Sequence, residues 1–213
     1  MNHLQKECIM RQFFFRFTVV VCTAFLVVAV ALAQQGEKQP SPEEMQKMMA
    51  EYMKVGAPGP EHAKLATWAG DWVTQTKIWR GPDAQPMDTP PGTSKGEMIL
   101  GGRFLRFMET GDMEGMPMEG MGIMGFDNFR RIYQMIWIDN TATPIYFASG
   151  TADSSGKVIT LMGKVDDPVK GEKNKDVKYI WRTGSDTKMI FEMWDSMGGG
   201  KFYKSFETTY TKK

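Results

Sequence analysis

Cysteine is confined to Cys8 and Cys22, and histidine to His3 and His62. From residue 34 onward the chain therefore has no thiol and a single imidazole. That excludes disulfides, Cys–His nucleophile pairs and zinc clusters from this region. A domain without such staples must be held by its core, and residues 34–213 are enough for one domain. An excess of one charge sign is also missing: 26 basic residues face 25 acidic ones. Without Lys6, Arg11, Arg16 and Glu7 the remainder holds 23 basic and 24 acidic residues. Balanced, unclustered charge excludes a nucleic-acid partner. The densest charged stretch, Lys170–Asp176, is mixed in sign and reads as a solvated loop.

No apolar run reaches the roughly 20 residues that a spanning helix needs. The run Phe17–Ala33 comes nearest. It follows Lys6, Arg11 and Arg16 and ends Ala31-Leu32-Ala33, the order of a basic region, an apolar region and a small-residue cleavage site. Residues 1–33 thus read as a signal peptide cut near Ala33, giving a periplasmic or secreted protein with no stable membrane anchor. The competing reading is an uncleaved anchor. Cys22 follows Val19-Val20-Val21 with no small residue directly before it, which argues against a lipoprotein.

Residues 34–58 form a polar leader and a helix. Ser41-Pro42-Glu43-Glu44 combines an N-cap, a proline at the first helical position and a glutamate three residues after the cap. Met45, Met48, Met49, Tyr52 and Met53 fall on one helical stripe, suited to packing on the domain or, through residues 42–54, on a partner protein. Pro60–Trp68 predicts a second short helix carrying His62.

Residues 59–213 then follow a hairpin rhythm. Gly70-Asp71-Trp72 opens a strand to Trp79. Further strands are predicted at 94–100, 103–110, 119–126, 130–139, 144–151, 157–165, 176–183, 188–195 and 201–211. The hairpin at 117–139 turns at Asp127-Asn128, and Gly120, Gly122 and Gly125 suit a strongly bent sheet. The fold class is all-β: an antiparallel up-and-down meander of about ten strands, closed into a barrel to hide its edges. Connections alternate in length. Tight turns gather at one end with the His62 helix, and longer loops (80–93, 111–118, 140–143, 166–175, 196–200) gather at the other. A plugged base and a loop-rimmed mouth is the form of a ligand-holding barrel.

Gly70-Asp71-Trp72 resembles the Gly-x-Trp start of lipocalins and other calycins. In that superfamily the tryptophan closes the barrel base, often under an arginine, a role this resemblance gives to Arg103 or Arg182 above Trp72. A wider set is similar to a secreted bacterial family catalogued as domain of unknown function 1579. The set comprises Gly59-Pro-Glu-His-Ala-Lys-Leu, Gly70-Asp-Trp, Trp79-Arg-Gly-Pro-Asp-Ala, Gly96-Glu-Met-Ile-Leu-Gly-Gly-Arg-Phe-Leu, Gly125-Phe-Asp-Asn, Trp137-Ile-Asp-Asn, Phe191-Glu-Met-Trp-Asp and Thr209-Tyr-Thr-Lys. That resemblance implies a calycin-like barrel and carries no activity with it. Nitrobindin-like barrels also start with Gly-x-Trp and hold haem through a C-terminal histidine. Residues 63–213 contain no histidine, so no haem and no other cofactor is expected.

Counting parity from Trp72, the inward set is Trp72, Thr74, Thr76, Met98, Met124, Tyr133, Met135 and Trp137, with Asp139 near the mouth. These are the candidate binding residues for a small apolar or amphipathic ligand. Asp139 reads equally as a strand-end aspartate bonding the next turn through Asn140 and Thr141. An enzyme using Glu97 and Asp139 as acid and base is an alternative, although no nucleophile or cofactor motif accompanies them. His62 reads as a capping or packing residue. Met87, Met113, Met116, Met118 and Met197 are expected on the mouth loops, where thioethers suit Cu(I) or an adaptable apolar rim, and the apolar rim is preferred. An envelope assembly protein docking through the methionine helix is a further alternative.

Overall fold

The computed structural model describes residues 40–213. The expected signal peptide at 1–33, its cleavage point and the leader at 34–39 lie outside the described residues. Helix α1 (Pro42–Gly56) begins with the capping box read from the sequence. Glu44 N donates to Ser41 Oγ at 3.2 Å, and Ser41 N donates to Glu44 Oε2 at 2.7 Å. Among the described residues α1 contains no buried side chain, and Tyr52 is 76% exposed. Helix α2 (Pro60–Ala66) buries His62 and Leu65. No helix among the described residues is long and apolar enough to cross a membrane.

Eleven strands follow, all antiparallel: β1 (Gly70–Ile78), β2 (Met87–Asp88), β3 (Gly92–Ile99), β4 (Phe104–Met113), β5 (Met116–Asp127), β6 (Ile132–Asp139), β7 (Tyr146–Ala152), β8 (Val158–Asp167), β9 (Glu172–Ser185), β10 (Lys188–Gly198) and β11 (Lys201–Lys212). Apart from β2, neighbours in sequence are neighbours in the sheet, and β11 pairs back onto β1 from Trp72↔Lys212 to Ile78↔Phe206. The result is a closed ten-stranded antiparallel barrel, with the two-residue β2 as an extra strand on the far end of β1 from Trp72.

Two expectations about the ends change. The stretches 111–118, 166–175 and 196–200 are mostly extensions of the strands rather than loops. β4 and β5 pair out to Met113↔Met116 across the two-residue turn Glu114-Gly115, whose φ values of 58° and 86° are left-handed. Only 79–86 and 140–145 remain long connections. At the other end the β5–β6 turn spans 128–131, with Arg131 and not Asn128 in the left-handed region. Asp127 Oδ1 accepts from Phe129 N and Arg130 N, each at 2.9 Å. Asn128 instead donates to the carbonyls of Val55 and Ala57, both at 2.8 Å, tying the end of α1 to the barrel base.

The inner glycines do more than permit bending. Phe107 and Trp137 both sit directly across from Gly122. A Cβ there would lie 2.1 Å from the Phe107 ring, and one at Gly120 would lie 2.1 Å from Trp137. Each glycine is therefore the floor on which an aromatic ring lies, and the rings fill the volume that side chains would have taken. Phe107 stacks on Trp137 at 6.0 Å between centroids. Gly122→Ala is expected to lower stability by about 1–3 kcal/mol through overpacking, read from urea midpoints. Gly81→Ala, with open space around its Cβ, should stay within about 0.5 kcal/mol of the parent.

Candidate functional site

The base of the barrel is built on Trp72. Its Nε1 donates to the Trp68 carbonyl at 3.0 Å, fixing the strand to the segment after α2. A cation does cover the Trp72 ring, but neither expected arginine supplies it. Lys212 places Nζ 5.2 Å from the ring, because the β1–β11 register sets Trp72 opposite Lys212. Arg103 donates to the Gly56 and Leu100 carbonyls, on the helix end and the β3–β4 turn. Arg182 turns to the outer face, where Nη2 meets Glu192 Oε2 at 3.3 Å. His62 accepts Gly59 N–H on Nδ1 at 3.0 Å and packs edge-on against Phe126, which is a capping and packing role.

Above this base the inward residues of β3, β4, β9, β10 and β11 enclose a small chamber. Trp68, Trp72, Phe107, Trp181 and Tyr210 give it aromatic walls, Leu105 and Met189 complete them, and Ser94 and Glu109 supply polar groups. Its free volume is about 10 Å³, room for one water molecule. The interior is packed, not hollow: Trp181 stacks on Trp68 at 5.3 Å, meets Phe107 edge-on at 5.7 Å and lies 5.7 Å from Tyr210.

Glu109 reaches this chamber because it shares the inward parity of Leu105 and Phe107 on β4. Tyr210 Oη donates to Glu109 Oε1 at 2.5 Å. Burial pushes the Glu109 carboxyl up to about 7, against the pull of its bonds from Tyr210 and Ser94. Burial, then the adjacent Glu109 charge, pushes the Tyr210 phenol well above its usual range. Trp181 Nε1 is buried with no hydrogen-bond partner in the protein. A chamber wall thus carries an unused donor beside a carboxyl held by neutral hydroxyls alone.

Of the nine residues expected to line a binding site, only Trp72 borders this chamber. Thr74, Met124, Tyr133 and Met135 are buried, and Thr76, Met98 and Trp137 are half-buried; all project inward elsewhere in the core. Thr76 bonds Thr208 across the closing ladder at 2.9 Å. Asp139 closes its own turn: Oδ1 accepts from Thr141 N and Oγ1 at 2.8 and 2.6 Å, and Oδ2 accepts from Trp137 Nε1 at 2.7 Å. Burial works to raise its carboxyl, yet these bonds outweigh it and leave the pKa below the usual range. Glu97 projects outward and pairs with Arg106. Glu97 and Asp139 therefore face opposite sides of the wall and form no acid–base pair.

At the end away from α2 the interior is charged. Lys175 meets Asp195 at 3.1 Å and Asp167 at 3.7 Å. The rim methionines lie at this end, on separate hairpins: Met113, Met116 and Met118 on β4–β5, Met87 on β2, and Met197 on β10. Among the described residues no three His, Cys, Asp or Glu side chains are placed to hold a metal ion.

The raised Glu109 pKa has a consequence for stability. Folded protein keeps this proton to about pH 7, whereas the unfolded chain releases it near 4.5. Stability from this group is full below about pH 4.5, falls as pH rises to about 7 and is level above. The total is on the order of 3 kcal/mol. Chemical denaturation from pH 5 to 8 should show this decline in the parent, and Glu109→Gln should lack it.

In comparisons with known proteins, the fold is similar to that of Rv2717c from M. tuberculosis, with a TM-score of 0.52 at 13% identity, covering 74% of this chain and 99% of that one. The S-type phycobiliprotein lyase CPES from Guillardia theta aligns over 73% of this chain and 98% of its own, at 9% identity and a TM-score of 0.49. Among curated proteins nothing matches this chain. Residues 57–212, the whole barrel with the helix that plugs it, match the family described as "Protein of unknown function (DUF1579)", and the chain belongs to that family.

Proposed function

We propose that this chain is an exported binding protein that takes a small amphipathic molecule into its barrel, with the molecule's polar group against Glu109. The observation that carries this reading is a carboxyl group turned into an aromatic chamber where packing has no need of it. Glu109 is half-buried, and a carboxyl withdrawn even this far from water costs stability that a glutamine in its place would not. Fold maintenance alone therefore does not account for it, and an acid perturbed by burial in a cleft is a candidate for a functional group. The chamber as it stands accepts a group the size of one water. A longer apolar portion requires wall side chains to move, and Met189, unbranched and adaptable, is the wall best suited to doing so.

Export rests on residues 1–33, whose basic start, apolar run and Ala31-Leu32-Ala33 ending are those of a signal peptide. A chain without cysteine beyond residue 22 suits an oxidising compartment, having no thiol there to misoxidise. The exposed methionine stripe of α1 and the methionines of the hairpin tips favour neither a metal nor a partner by any contact of their own.

Native mass spectrometry of protein recovered from its own envelope fraction tests both parts. The expected species begins at Gln34 and carries a non-covalent small-molecule adduct. Glu109→Leu should lose the adduct while retaining the parent's circular dichroism. A parent that never carries an adduct, in any growth condition tried, removes the binding reading. A chain retaining residues 1–33 removes the export reading.

A further inference from the structure

The charges around Glu109 narrow the ligand further. Among the described residues, the two buried carboxylates each meet a lysine, whereas Glu109 is half-buried. Glu192 has Lys204 Nζ at 3.0 Å and Arg182 Nη2 at 3.3 Å, and Asp195 has Lys175 Nζ at 3.1 Å. Glu109 has only the Tyr210 and Ser94 hydroxyls. No cationic side chain borders its chamber. Lys212, at the base, lies on the Trp72 ring with its ammonium directed to the Thr67 carbonyl at 3.4 Å. One carboxyl without a countercharge thus shares its chamber with the aromatic side chains of Trp68, Trp72, Phe107, Trp181 and Tyr210.

Resting on the binding reading above, we propose that the chamber is a cage for a protonated primary amine: an ammonium head on Glu109, ringed by the aromatic walls, with a short apolar tail. An ammonium group is about the size of the water the chamber accommodates, so the head enters without rebuilding the core. It supplies the charge that Glu109 lacks, and aromatic side chains close around it attract a cation wherever they turn a face to it. A hydroxyl head satisfies the hydrogen bond but leaves the carboxylate uncompensated. A carboxylate head meets like charge and is excluded. The head binds the ionised form of Glu109, so affinity rises with pH through about 7, by about tenfold between pH 6 and 8, because the ionised fraction grows by that factor.

Three probes with one tail and different heads decide the matter: n-butylammonium, 1-butanol and butyrate, titrated into the full-length exported protein. Tryptophan emission is the readout, since Trp68, Trp72 and Trp181 line the chamber. At pH 8 butylammonium is expected to bind at least tenfold more tightly than butanol, with butyrate inert, and Glu109→Gln should erase the difference. Should that variant misfold, the tenfold gain of the parent between pH 6 and 8 is an independent readout. Equal or better binding by butanol or butyrate, or no pH dependence for butylammonium, overturns the ammonium assignment while leaving interior binding intact. No response to any probe also overturns it. Interior binding as such then stands or falls on the retained adduct.

Discussion

The ladder between β1 and β11 is the constraint on which the rest depends. An up-and-down meander leaves its first and last strands as exposed edges unless they meet, and here they meet over seven residue pairs from Trp72↔Lys212 to Ile78↔Phe206. That single register places Lys212 on the Trp72 ring, sets Thr76 against Thr208, and brings Tyr210 within 2.5 Å of Glu109, 101 residues earlier in the chain. A slip by one residue would turn Tyr210 outward and leave Glu109 without its donor. Closure, base and polar site are one decision.

Closure also fixes how much can be inside. Ten strands enclose a lumen that small side chains would leave hollow. This chain instead sets large rings beside inner glycines, as at Gly120 and Gly122, and stacks tryptophans across the middle. The packed interior gives a domain without disulfides its stability. Volume is correspondingly scarce, so the chamber's chemistry and not its size selects what enters. Charges are kept to the ends or to the outer wall. Lys175 with Asp195 and Asp167 occupies the end away from α2, and Glu192 with Lys204 and Arg182 lies outside.

Much of this was legible in the residues. The hairpin rhythm implies the meander, and Gly70-Asp71-Trp72 after a short helix implies the base. Parity from Trp72 gives the inward direction of Met124, Tyr133, Met135 and Trp137. The capping roles of Ser41 and Glu44 follow from spacing alone. What stayed hidden has physical causes. Glycine, proline and methionine at 111–118 read as a loop, although the β4–β5 ladder runs through them to a two-residue turn. The β10–β11 bulge between Met193 and Trp194 reverses side-chain direction without a mark in the sequence. The cation over Trp72 comes from Lys212 because strand pairing, not residue preference, decides which side chain arrives there. Glu109 was visible as an alternation partner of Leu105 and Phe107. An acid at the end of an apolar alternation reads first as the point where the strand leaves the core.

Glu109 differs from the two buried acids in what holds it, and that difference follows from position in the barrel. Asp195 lies at the end, where the long side chain of Lys175 can reach inward from β9 and still keep its stem on the wall. Glu192 lies on the outer face, where Lys204 and Arg182 approach from neighbouring strands with their heads near water. At mid-barrel no lysine or arginine is among the residues that line the chamber with Glu109. The wall therefore offers only short polar groups there, Ser94 and Tyr210. Hydroxyls satisfy hydrogen bonds but bring no charge, so the proton stays on Glu109 until about pH 7. Near neutral pH, the same ring packing that stabilises the barrel holds this one interior acid at the balance point between charged and neutral.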